Sequence, residues 1–151
     1  MSTPDPFRWT DMFLLGYPPM DETHREFVDI VNALLEAPDE DLPKHLDAFA
    51  KHAEDHFGKE HEWMDATEFP ARQCHMDEHN AVMKSVRDVQ QIVAEGDPHE
   101  ARQLAKALRD WFPGHADYMD SALAHWMSKR NAGGKPVVVR RNVLNAEPKT
   151  P

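Results

Sequence analysis

Apolar residues recur at the i, i+3, i+4, i+7 spacing of a helix in four stretches of the chain, without convincing period-two alternation. The first stretch begins near Asp21, whose carboxylate is placed to cap the opening turn. It carries His24, Phe27, Val28, Val31, Leu34 and Leu35 on one face, and Ala37-Pro38-Asp39-Glu40 ends it. The second, about residues 41–64, tolerates Pro43 in its first turn and presents Leu42, Leu46, Phe49, Ala53, His56, Glu60 and Trp63. The third, about 70–95, aligns His75, His79, Val82, Val86, Val89 and Val93, and Gly96 suits its C-cap. The fourth, about 97–130, opens on Asp97-Pro98, a cap followed by a proline at the first helical position. Its stripe is Leu104, Leu108, Trp111, His115, Met119, Leu123 and Trp126.

Four amphipathic helices with short links predict an all-α, up-down-up-down four-helix bundle. The first twenty residues, with Pro4, Pro6, Pro18 and Pro19, read as an extended N-terminal arm, with Trp9, Phe13 and Leu15 laid on the bundle. Beyond Asn131, Gly133-Gly134-Lys135-Pro136 ends regular helix and leaves a short basic C-terminal tail. Residues 1–131 are thus expected to form one domain and 132–151 its tail.

Composition narrows the function. The single Cys74 excludes an internal disulfide and any Cys-based zinc site within the chain, and a packed thiol is expected there. The net charge of −10 is uneven: residues 1–127 hold 26 acidic and 11 basic side chains, whereas 128–151 hold six Lys or Arg and one Glu. An acidic body repels phosphates, so nucleic acid is not an expected partner. No run of apolar residues is long enough to span a bilayer, and the N-terminus lacks a basic region followed by an apolar one. No membrane span is expected, and a cytoplasmic location is the default.

Histidine changes the picture most. Every predicted helix places one on its core-facing stripe: His24 on the first, His56 beside Glu60 on the second, His75 and His79 on the third, His115 ahead of Asp120 on the fourth. The His56/Glu60 and His75/His79 pairs are i, i+4, so both members of each face one cavity. One such histidine alone reads as a surface or hydrogen-bonded core residue. Seven donors at matched spacings point to a metal. Buried without partners they would cost roughly 1–3 kcal/mol per group, a penalty that a metal removes by taking the lone pairs. They exceed one tetrahedral zinc and suit two near-octahedral metals bridged by two carboxylates, with iron well matched to so many imidazoles. His45, His52, His61, His99 and His125 fall off the pattern and are expected at the surface.

Four segments carry a further signal: Asp21-Glu22-Thr23-His24, His56-Phe57-Gly58-Lys59-Glu60, His75-Met76-Asp77-Glu78-His79, and Trp111-Phe112-Pro113-Gly114-His115 followed by Asp120. In this order they resemble the signature of the hemerythrin family, and Trp9, Phe13 and Gly16 are similar to the arm of its bacterial members. The resemblance covers roughly residues 7–127. It implies that His75, His79 and His115 hold one iron and that His24 and His56 hold the other. Glu60 and Asp120 would bridge the two iron ions together with an oxo or hydroxo group. Dioxygen would be the ligand, bound reversibly at the open position; the identity of any protein acceptor is left open, and no catalytic residue is implied.

The chain departs from the family at two pocket positions, where Phe112 and Ala116 stand in place of the usual Leu and Ile. Phe27, Phe57, Trp111, Phe112 and Ala116 are expected to line an apolar pocket that keeps water from bound dioxygen. Pro113 predicts a kink or bulge. From His115 to Asp120 a straight helix turns about 140°, so either a local widening or a reach around the flank by Asp120 is needed. The functional expectation is reversible dioxygen binding for storage, delivery or sensing. The alternatives are a di-iron enzyme on the same site (peroxidase, oxidase or nitric-oxide handling) and a regulatory module. Di-iron oxygenases rely on four carboxylates, and this chain offers two with five imidazoles, which favours binding.

Overall fold

The computed structural model describes residues 6–131, and the expected basic tail lies outside them. Four rods form the body: α1 (Pro18–Glu36), α2 (Leu42–Ala66), α3 (Arg72–Ala94) and a last rod of α4 (His99–His115), a π-helical turn (Ala116–Asp120) and α5 (Ser121–Asn131). Each of the first three packs on its successor and α4 closes back onto α1, which makes an all-α four-helix bundle. No strand occurs among the described residues, and no helix there is long and apolar enough to cross a membrane.

Helix α1 starts three residues ahead of the expected Asp21. Pro18 and Pro19 occupy its first turn, where an N–H has no intrahelical partner to lose. Asp21 is therefore freed from capping. Its buried carboxylate accepts the N–H of Leu15 at Oδ1 (2.8 Å) and of Gly16 at Oδ2 (3.0 Å), tying the arm to the bundle. Gly16 has φ 86°, a left-handed conformation that side-chain-bearing residues seldom adopt. Farther out, the Phe7 N–H donates to Asn32 Oδ1 (3.0 Å), and Phe13 ends a 3₁₀ turn (Asp11–Phe13) against the bundle. Trp9 is half-buried under the Arg25 guanidinium, 4.5 Å from its ring.

The start of α3 falls at Arg72, two residues after Pro70, because the Phe69 N–H returns to Met64 O (2.9 Å) and closes a turn first. Gly96 ends α3 at φ 112°, with its N–H on Val93 O. Helix α4 begins at His99 with Pro98 at its N-cap, one residue later than expected, and Asp97 Oδ1 accepts the His99 N–H (3.2 Å) from just outside it.

Two apolar clusters divide the interior. One gathers Phe7, Phe27, Val31, Leu46, Phe49, Leu108, Phe112 and their neighbours; the other gathers Leu15, Tyr17, Met20, Met64, Phe69, Leu123 and Met127. Along α1, Met20 belongs to one and Phe27 to the other, with His24 between; along α2, Ala53 and Met64 flank His56 and Glu60. The polar stripe positions thus form one layer sealed by apolar packing on both sides.

Helix α3 buries only His75, His79 and Val86, so its outer faces meet solvent. Cys74 is accordingly exposed, not packed: the 100° step from His75 carries it outward.

Candidate metal centre

His24, His56, Glu60, His75, His79, His115 and Asp120 converge in that layer, each at most 5 % exposed. The i, i+4 pairs on α2 and α3 arrive as regular helix dictates. His115 and Asp120 do so because the last rod widens. Pro113 lies within α4, and past it the Ser121 N–H bonds Ala116 O, an i→i−5 link. A π turn absorbs one extra residue, so five residues take the phase that four have in an α-helix.

The two carboxylates are shared between two groups of histidines. Oε2 of Glu60 lies 2.7 Å from His56 Nε2 and 3.6 Å from His24 Nε2. Its Oε1 lies 3.4 Å from Nε2 of both His75 and His79. Asp120 repeats the division: Oδ2 is 3.1 Å from His24 Nε2, and Oδ1 is 2.9 Å from His75 Nε2 and 3.2 Å from His115 Nε2. Two metal-capable sets result, Glu60/His75/His79/His115/Asp120 and His24/His56/Glu60.

Several of these atoms are close yet misdirected for hydrogen bonding. Glu60 Oε1, Asp120 Oδ1 and both ring nitrogens of His24 and His75 are buried without a hydrogen-bond partner. Orphaned buried donors and acceptors cost about 1–3 kcal/mol each, and seven N and O ligands crowded in one dry layer fit a pair of cations that would take their lone pairs.

Charge in the layer is mutually arranged. Burial pushes protons off His24, but the closely placed Asp120 and Glu60 carboxylates outweigh it and raise the pKa to about 10. The same opposition raises His75 to about 9. His79 goes the other way, to about 3, because burial dominates and the positive neighbours His75 and His115 add to it. Burial favours neutral Glu60 and Asp120, yet the surrounding imidazoles hold both well below the usual carboxylate range. The opposing shifts of imidazoles and carboxylates make the cluster an internal ion network.

The aromatic residues divide between the two groups. Phe27 and Phe112 stack on each other (centroids 4.9 Å apart) next to His56 and His24, with Phe112 edge-on to His24 at 5.1 Å. Phe57 stacks on His79 at 4.0 Å and Trp111 on His115 at 4.3 Å. Ala116 is buried in the same apolar cluster as Phe112.

Two residues near the ligand-type atoms escape the stripe pattern. His61, expected to point outward, is half-buried, with Nε2 3.0 Å from His79 Nδ1 and its ring stacked on that imidazole. Glu78 accepts from His115 Nδ1 at 2.8 Å and from Trp111 Nε1 at 3.0 Å. Both immediately adjoin a ligand-type residue in sequence, an adjacency that could have marked them but did not. His45 and His52 are half-buried, while His99 and His125 are exposed as expected.

Fold and layer together define a four-helix protein with a buried imidazole–carboxylate metal centre. The chain matches the Hemerythrin HHE cation binding domain family over residues 15–127. It is 37 % identical over 123 residues to Bacteriohemerythrin of Ralstonia nicotianae, covering 82 % of this chain and 90 % of that protein. It is 24 % identical over 112 residues to Myohemerythrin of Theromyzon tessulatum, covering 74 % and 86 % respectively. The chain belongs to the hemerythrin family, of the bacterial type. The family implies a non-haem di-iron site and oxygen binding, and the buried cluster is a set able to bind metal.

Proposed function

We propose that this chain binds dioxygen reversibly at a non-haem di-iron centre, for storage, delivery or sensing. The observation that supports it most is the division of the two carboxylates, each of which turns one oxygen toward His75 and the other toward His24. A single metal would have no use for that arrangement; a bridged pair requires it.

On this reading His75, His79 and His115 would hold one iron, His24 and His56 the other, with the carboxylates of Glu60 and Asp120 shared between the two groups. An iron pair held there would supply the reversible redox chemistry that dioxygen binding needs. The chain's own residues do the rest. The His24/His56 side has one imidazole fewer, which leaves room for a ligand there. Phe27 and Phe112 pack at that side and exclude water, and Phe57 and Trp111 cover the other. Ala116, small and buried beside Phe112, sets how much space remains. A relative named Bacteriohemerythrin, matched over most of the chain, supports the same function.

The test is anaerobic loading with ferrous iron, followed by addition and removal of dioxygen. Two irons per chain and a visible charge-transfer band that forms and then vanishes support reversible binding. Irreversible conversion with release of hydrogen peroxide would assign the site to an oxidase instead.

A further inference from the structure

The five imidazoles of the centre differ in what holds their outer nitrogens. The Nδ1 atoms of His24, His56 and His75 are buried without a hydrogen-bond partner. Nδ1 of His79 meets another imidazole, His61. His115 alone meets a carboxylate, with Nδ1 2.8 Å from Glu78 Oε1. The same oxygen accepts the Trp111 Nε1–H, and the Trp111 ring lies on His115 with 25° between the planes. The imidazole is thus held along its edge by Glu78 and across its face by Trp111. His115 is 2 % exposed at its side chain and Glu78 34 %, so one end of this pair is dry and the other touches solvent.

An ionised carboxylate has no hydrogen to give, so Nδ1 of His115 is the donor. That leaves Nε2 as the nitrogen able to ligate, and Nε2 is the atom facing Asp120 Oδ1 and His79 Nε2. A negative partner on the outer nitrogen also raises the basicity of the ligating one. His61, a half-buried imidazole, gives His79 a partner without that charge.

We propose that Glu78 is a positioning residue of the metal centre: through His115 it fixes the ligating nitrogen and makes the three-histidine side the more electron-rich half of the pair. The inference rests on the reading of the cluster as a di-iron site and adds a division of labour between its halves. Trp111 moderates the effect, because its N–H draws on the same oxygen that serves His115.

Three variants separate charge from mere packing. Glu78→Gln keeps size and an acceptor oxygen but removes the charge. Glu78→Ala removes both. Trp111→Phe keeps an aromatic ring at that position but releases the shared oxygen to His115. Each is loaded anaerobically with ferrous iron, and metal content and midpoint potential are measured. Glu78→Gln is expected to retain two irons per chain with the potential shifted upward. Glu78→Ala adds a loss of iron affinity of about 10–100-fold. Trp111→Phe is expected to shift the potential downward, a sign reversal that packing damage does not produce. Equal potentials in wild type and Glu78→Gln, or shifts of the same sign in Glu78→Gln and Trp111→Phe, overturn the proposal. A wild-type chain that takes up no iron overturns the di-iron reading, and this proposal with it; a loaded wild type with an unmoved Glu78→Gln overturns this proposal alone.

Discussion

Nε2 of His115 lies 3.2 Å from Oδ1 of Asp120, although five residues separate them on one rod. The π turn at Ala116–Asp120 makes that possible by absorbing a residue. Deleting one residue from the turn should then restore plain α-helix without changing the phase of Asp120 and α5. Tyr118, 78 % exposed, is the residue to remove. The deletion variant is expected to keep its helical circular dichroism and its wild-type metal count. A folded variant that no longer binds metal would contradict this role for the turn.

Asp21 ties the end of the arm to the bundle through two backbone amides. Asp21→Ala leaves the Leu15 and Gly16 amides without their acceptors and is expected to cost about 1–3 kcal/mol. Hydrogen exchange at these two amides should accelerate while amides inside α2 stay protected. Unchanged exchange would mean that the apolar contacts of Phe7 and Phe13 hold the arm alone.

Metal-free protein should lose stability at both ends of the pH scale. His24 and His75 have pKa values raised to about 10 and 9, so their contribution is complete below about 6.5 and is lost as pH climbs through 9 to 10. His79, lowered to about 3, takes up a proton more readily when unfolded, so acidification below about 6.5 favours unfolding. The depressed carboxylates Glu60 and Asp120 add to the acid loss. Urea midpoints for the metal-free chain should therefore peak near pH 6.5 and fall progressively from there until pH passes 9 to 10. Metal loading at neutral pH should release protons, since the His24 and His75 nitrogens must give theirs up. A flat profile to pH 10 would mean that the ion network adds nothing to stability.

Most of the bundle and its seven inward-facing donors were legible in the chain because helical periodicity and i, i+4 spacing are local. The five-residue gap from His115 to Asp120 even exposed the need for a widened turn, since a straight helix could not satisfy it. What periodicity could not show was anything set by a neighbouring rod. The part Asp21 plays depends on where the arm runs, and the parts His61 and Glu78 play depend on how α2 and α4 meet α3. Cys74 was misplaced for the same reason: a packed thiol next to a buried ligand assumes a covered flank, and α3 leaves that flank open.

Ala116 is 2 % exposed and closely surrounded. Ala116→Ile is expected to overpack the site and cost about 1–3 kcal/mol, lowering the melting temperature. It should also slow ligand access and oxidation of the loaded centre, measured by stopped-flow absorbance. Wild-type rates in a destabilised variant would show that Ala116 fills core without setting the space beside His24.

Native mass spectrometry of the iron-loaded chain tests the central claim most directly, because it counts ions on individual folded molecules. Wild type is expected to carry two irons, and a Glu60→Ala/Asp120→Ala double variant with unchanged helical content fewer than two. One iron on wild type, or two on the double variant, would contradict a centre built by two shared carboxylates.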